Sequence, residues 1–241
     1  MKITVIGCDG AFAKEDGATS SYLIEDNNIK ILLDCGSASL SKLQKHIKLH
    51  ELDIVFISHF HRDHFADLEC LQVAVGMDFD NNTRTKKLDI YGPGNVDILN
   101  YKEYCNGYIY DENSEFEFNG LKLTFIKTQH NGVCYGVRIT DSNDKTLVYT
   151  ADTGMNDTLP NFVNNSDLLI IDSSFYEIET NKSKNHLSSS QIGLLAKENN
   201  VSKVVLTHLP HYGNNEDLVT EVKKYYDGDV ELAKIHKTYK L

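Results

Sequence analysis

Three imidazoles and one carboxylate, His59, His61, Asp63 and His64, fall within six positions of this 241-residue chain. Neutral imidazole and carboxylate suit borderline and hard cations such as Zn²⁺, Mn²⁺ or Fe²⁺. The cluster follows Ile54-Val55-Phe56-Ile57, an apolar run too short for a helix and rich in branched side chains. A buried strand is therefore expected there. Side chains alternate along a strand, so His59 and His61 should point to the same side of the turn, with Asp63 and His64 entering a helix over 65–69. A hydrated polar turn needs no such concentration of ligands, whereas a metal site does.

Other reactive side chains recur where apolar runs stop. Asp34 ends Ile31-Leu32-Leu33, although a turn-forming aspartate before Gly36 would look the same. His130 closes a run through Phe125-Ile126, and Asp152 stands in Thr150-Ala151-Asp152-Thr153-Gly154, a position suited to a carboxylate bridging two cations. Asp172 follows Leu168-Leu169-Ile170-Ile171, and His208 follows Val204-Val205-Leu206-Thr207. His186 lies in Asn185-His186-Leu187-Ser188, just before a helix that Ser188 or Ser189 could cap. Each of these, taken singly, is an ordinary turn residue; their recurrence at run ends is what draws attention.

The H-x-H-x-D-H stretch resembles the signature of the metallo-β-lactamase superfamily. That resemblance implies an α/β protein, a four-layer αββα sandwich, with a two-metal site along one edge of its sheets. It implies a first metal held by His59, His61 and His130, a second by Asp63, His64 and His208, and Asp152 bridging the two. Asp34 would hydrogen-bond a ligating histidine. The cofactors implied are two divalent transition-metal ions, zinc first, with manganese or iron as alternatives. Such a centre lowers the pKa of a bound water to about 7, and Asp63 would also orient or deprotonate it.

Two further segments, Asp172-Ser173-Ser174-Phe175 and Asn185-His186-Leu187-Ser188, are similar to the catalytic glutamate and histidine segments of ribonuclease Z-like phosphodiesterases. The turn Tyr91-Gly92-Pro93-Gly94 is also common in that branch. There the acidic residue orients the histidine, which bonds the phosphoryl oxygen or protonates the leaving oxygen. Here Asp172 stands in place of the usual glutamate, one methylene shorter. Ribonuclease Z proper carries a tRNA-binding arm between its third histidine and bridging aspartate. Residues 131–151 leave no room for one, so a compact, armless relative is implied.

The elements that must position these groups are readable in outline. Strands are expected over 2–6, 21–25 and 30–33, with a hairpin turn at 26–28, and over 88–91, 134–139, 146–149, 168–171, 203–207 and 230–235. Asn119-Gly120 predicts a hairpin over 116–126. Helices are expected over 40–49, through Leu68, Leu71 and Val75, over 95–103, from Ser189 or Ser190, and over 216–226. His46 and His50 read as solvated surface residues. No linker or repeat interrupts the chain, so a single domain over 1–241 is expected.

Composition narrows the partners. With 35 acidic against 24 basic residues the net charge is −11, and such a surface repels a nucleic-acid backbone. Full-length tRNA is disfavoured as a partner, while a small phosphodiester or a short RNA end is not. No apolar run of membrane-spanning length occurs and the first residues read as a strand, so a cytoplasmic protein without a membrane partner is expected. Five cysteines without a C-x-x-C pair suggest reduced thiols. A homodimer stays open. The expectation is a metal-dependent hydrolase, first a phosphodiesterase on a small or cyclic phosphodiester. The alternatives are a carbonyl-ester hydrolase for a thioester, lactone or β-lactam, and a non-catalytic nucleotide-binding sensor.

Overall fold

A computed structural model describes all 241 residues. In chain order the strands are β1 (Lys2–Gly7), β2 (Ser21–Asp26), β3 (Ile29–Leu33), β4 (Ile54–Phe56), β5 (Leu88–Gly92), β6 (Cys105–Ile109) and β7 (Glu115–Phe118). They continue with β8 (Leu121–Lys127), β9 (Tyr135–Thr140), β10 (Thr146–Tyr149), β11 (Leu168–Asp172), β12 (Lys203–Thr207), β13 (Asp229–Leu232) and β14 (Thr238–Lys240). The helices are α1 (Ser39–Leu43), α2 (Arg62–Phe65), α3 (Leu68–Asp80), α4 (Val96–Leu99), α5 (Leu159–Val163), α6 (Ser189–Glu198) and α7 (Asn215–Val222). The chain divides into two compact units, Met1–Tyr110 with Lys234–Lys240, and Asp111–Ala233 with Leu241.

The first unit is a seven-stranded sheet in the order β14-β1-β2-β3-β4-β5-β6. Its strands are antiparallel from β14 to β3 and parallel from β3 to β6. Parallel strands need crossover connections, which bury them on their faces and favour unbroken apolar runs. All three residues of β4 are accordingly buried. Leu68, Leu71 and Val75 of α3 pack with Leu32, Val55 and Ile90 of the sheet in one apolar core.

The second unit repeats the plan in the order β13-β12-β11-β10-β9-β8-β7. Here β7 to β10 are antiparallel and β10 to β13 parallel. Every residue of β11 is buried. Helix α6 contributes Ile192, Leu195 and Ala196 to the interior, and α7 contributes Leu218 and Val222. Gly193 permits their close approach, since a Cβ there would lie 2.8 Å from the Val222 carbonyl oxygen.

Both hairpin turns expected from the sequence form with left-handed centres, Asn27 and Asn28 at φ 41° and 63°, and Asn119 and Gly120 at φ 49° and 87°. Other elements end earlier than expected. Helix α1 stops at Leu43, where the amide of His46 bonds back to the Leu43 carbonyl at 2.9 Å. The carbonyls of His50 and Leu52 are taken by the buried Arg84 guanidinium. The helix expected beyond His64 breaks at Asp67, whose carboxylate accepts from the Leu40 amide. The 95–103 segment forms one helical turn, because Asn100 bonds the Val96 carbonyl and the Gly107 amide and feeds the chain into β6.

Strands β6 and β14 lie outside the set expected from the sequence; both are short and weakly patterned. Helix α7 ends at Val222, ahead of Tyr226, whose hydroxyl reaches the Val201 carbonyl at 2.7 Å. Strand β13 spans Asp229–Leu232, shorter than expected. His46 is not a merely solvated residue: its Nε2 lies 2.8 Å from Nδ1 of His236, just ahead of β14.

Candidate metal centre

Within the first unit the chain turns sharply at the ends of parallel strands. Asp34 follows β3 at φ 58°, a left-handed conformation that strains a non-glycine residue by about 1–3 kcal/mol and is tolerated best by aspartate and asparagine. The turn aims the fully buried Asp34 carboxylate at the segment after β4. Asp34 Oδ1 accepts from the Ser58 amide at 2.7 Å, and Oδ2 accepts from the Ser58 hydroxyl at 2.9 Å and from His64 Nδ1 at 2.7 Å. Nδ1 of His64 therefore donates to the carboxylate, which turns Nε2 away from it. His59 Nδ1 lies 3.1 Å from the Ser58 hydroxyl, and its ring packs against those of His61 and His64. Helix α2 carries Asp63 and His64, and the Ala11 amide donates to Asp63 Oδ2 at 3.0 Å.

Within the second unit the same strand-end turning recurs. Ala151 after β10 and His208 after β12 adopt φ 52° and 54°. They place Asp152 so that its Oδ2 stands 3.6 Å from His130 Nε2 and 3.3 Å from His208 Nε2. In the first unit, Asp63 Oδ2 and His64 Nε2 are 3.6 Å apart. Two donors at bonds of about 2.1 Å around one tetrahedral cation stand roughly 3.4 Å apart. These pairs therefore fit divalent transition-metal ligation, and one oxygen of Asp152 faces two such histidines. The donor types agree, since every member is imidazole or carboxylate. No cysteine is among the clustered donors, and burial pushes the Cys8 and Cys105 thiols up to about 12 and raises Cys35 as well.

Asp172 and His186 behave differently. Donor atoms of Asp152, Asp172, His186 and His208 lie within 4.8 Å of one another, but His186 Nδ1 is only 2.7 Å from Asp172 Oδ2, a hydrogen bond. The fully buried Asp172 carboxylate also accepts from the Thr153 amide, the Ser174 amide and the Ser174 hydroxyl. Those four bonds occupy its acceptor sites, which suits it to orienting His186 and not to ligation. Burial opposes a charge on His186, yet the Asp172 carboxylate and its hydrogen bond outweigh this and hold the imidazole pKa above its ordinary value. The missing methylene of aspartate does not prevent the contact. The His186 ring lies edge-on to His130 and stacked on His208.

All the residues singled out in the sequence are thus found in two clusters. The first unit gathers Asp34, His59, His61, Asp63 and His64, and the second gathers His130, Asp152, Asp172, His186 and His208. Supporting groups that sequence reasoning did not single out are Ser58, Ser174, the Ala11 amide, and the Asn185 carbonyl 3.2 Å from His130 Nδ1. Of these, Ser174 and Asn185 stood inside the quoted segments, as polar neighbours without an assigned role.

A fold of this kind with histidine and aspartate clusters at its strand ends defines a class, the metallo-hydrolases of the metallo-β-lactamase fold in their ribonuclease Z-like branch. Within it, the chain belongs to the family of the anti-Pycsar protein Apyc1, whose model matches residues 1–239. It is 40% identical to YhfI of Bacillus subtilis (strain 168), named as a probable metallo-hydrolase, over 97% of each chain. The crystal structure of YhfI, a metallo-β-lactamase fold protein, superposes with a TM-score of 0.95 at 38% identity, covering 99% of this chain and 98% of that one. The ribonuclease Z of Archaeoglobus fulgidus is 23% identical over 95% of this chain and 94% of its own length. A diphosphatase of the PhnP family shares the fold, with a TM-score of 0.79 at 15% identity over 100% of this chain and 97% of that one.

Proposed function

We propose that the chain is a phosphodiesterase acting on a small or cyclic phosphodiester or RNA end with two divalent transition-metal ions, zinc being the first choice. The donors proposed are His59, His61 and His130 for one ion, Asp63, His64 and His208 for the other, and Asp152 for both. When bound, such ions supply a water of lowered pKa and polarise the phosphoryl group. The protein's own residues do the rest. Asp63 orients the attacking water, Asp34 fixes His64 in the tautomer that presents Nε2, and Asp172 holds His186 by Nδ1 so that Nε2 is free to deliver a proton.

The Asp172–His186 hydrogen bond of 2.7 Å carries this reading. An alkoxide leaving group needs a proton, and an imidazole anchored to a buried carboxylate beside the candidate ligands is placed to give it. A carbonyl-ester hydrolase has less use for that arrangement. The test is His186→Ala. It should retain its metal while losing about 10²- to 10⁴-fold in rate on phosphodiesters with poor leaving groups. A nitrophenyl phosphodiester, whose leaving group departs unaided, should lose less. Unimpaired phosphodiester turnover in this variant, with brisk thioester or lactone hydrolysis by the parent, would replace this reading with the carbonyl one.

A further inference from the structure

The Ser174 hydroxyl is bonded in three directions. It donates to Asp172 Oδ1 at 2.6 Å, and it lies 2.8 Å from His208 Nδ1 and 3.2 Å from His186 Nδ1. Its single proton settles the remaining assignments. A carboxylate can only accept, so the hydroxyl proton goes to Asp172 and the oxygen lone pairs face the imidazoles. His208 Nδ1 is then placed to donate to the Ser174 oxygen, and its Nε2 is directed toward Asp152 Oδ2, 3.3 Å away. The same bond fixes the rotation of the Asp172 carboxylate, and so the direction of Oδ2, which holds His186.

We propose that Ser174 is a positioning residue that sets two groups at once: the tautomer of His208 toward a divalent cation, and the Asp172 carboxylate that aims His186. The first unit independently shows the same device. There Ser58 donates to Asp34 Oδ2 at 2.9 Å while its oxygen lies 3.1 Å from His59 Nδ1 and 3.4 Å from His64 Nδ1. Asp34 grips His64 at 2.7 Å as Asp172 grips His186 at 2.7 Å. In the first unit both imidazoles are candidate ligands. In the second the device is divided, one imidazole for the cation and one for the leaving group. The role assigned to His186 rests on the proposed phosphodiesterase reading; the role toward His208 does not.

The comparison is Ser174→Ala against Ser174→Thr, with Ser173→Ala as a folding control, since the Ser173 hydroxyl bonds only the Thr207 carbonyl among these groups, at 2.7 Å. Long-range ¹H–¹⁵N correlation spectra of the metal-stripped protein should show His208 as the Nδ1–H tautomer in the parent, in Ser174→Thr and in Ser173→Ala. Ser174→Ala should show a mixture. Zn²⁺ affinity, measured by competition with a chromophoric chelator, should fall about 10- to 100-fold in Ser174→Ala alone. The same variant should lose rate on poor leaving groups more than on nitrophenyl esters, with kcat affected more than KM. If the tautomer and affinity respond as stated while the parent turns over no phosphodiester, the phosphodiesterase reading falls and the Ser174 assignment stands. An unaltered His208 tautomer and Zn²⁺ affinity in Ser174→Ala would overturn the assignment, whatever the rates.

Discussion

His64 illustrates what an imidazole needs before it can serve a cation. Its Nδ1 is held by Asp34 at 2.7 Å, which fixes the ring and the direction of its other nitrogen. Groups that orient a ligand in this way typically account for a 10- to 100-fold effect on metal affinity. Asp34→Asn keeps the shape but cannot accept from both Ser58 and His64 with the same oxygens. We expect it to bind Zn²⁺ about 10- to 100-fold more weakly, measured by chelator competition, with little change in fold by circular dichroism. Wild-type affinity in that variant would mean that the ring is oriented by packing alone. At this scale the sequence is unevenly readable. The tight spacing of His59, His61, Asp63 and His64 serves little purpose except to hold a cation, whereas Ser58 and Ser174 look like any serine in a turn. Their roles exist only once separated strand ends converge, and no local pattern encodes that.

Elements deliver these side chains by ending abruptly. The loop after β10 passes so close to residues 184–185 that a Cβ on Gly154 would lie 1.8 Å from the Lys184 carbonyl oxygen. The displaced segment carries the Asn185 carbonyl that meets His130, and His186 follows it. Gly154→Ala should therefore reduce stability by about 1–3 kcal/mol through overpacking. Its rate on poor leaving groups should fall further than that destabilisation explains. Denaturant melts and rates on the same preparation check both. Parent-like stability and rates would show that the 184–186 segment yields freely. The long buried strands were legible because an unbroken apolar run has few alternatives. The limits of α1, α4 and α7 were not, because helices stop on hydrogen bonds, such as those of Asn100 to the Val96 carbonyl and the Gly107 amide, that no run of residue types announces.

For the whole molecule, charge and the hairpin between His130 and Asp152 bear on the size of the substrate. The connection is filled by β9 and β10, a plain antiparallel pair, and the chain carries a net charge of −11. Binding to a polyanion releases counterions only where lysine or arginine meets phosphate, so affinity for full-length tRNA should be low and should fall steeply with salt. Filter binding with precursor tRNA across a salt series measures this. Tight retention near physiological salt, with release of the trailer, would reverse the expectation of a small substrate. The longest helix, α3, has 13 residues, and no helix is long and apolar enough to cross a membrane.

The return of β14 to the first unit has a consequence in time. Lys2 pairs with Lys240 and Ile3 with Tyr239, so β1 is completed only when β14 has been made. Closing so long a loop adds little to the thermodynamic penalty, which grows only with the logarithm of loop length. The delay is kinetic. At about 5–20 residues per second, β1 waits on the order of ten seconds to a minute for its neighbour. During that interval its edge can pair with another nascent chain. Once β14 arrives, the Val5 amide bonds the Lys237 carbonyl, the His236 amide bonds the Val5 carbonyl, and the His46–His236 contact closes beside them. The first unit is thus begun before the second unit is made and finished only after it.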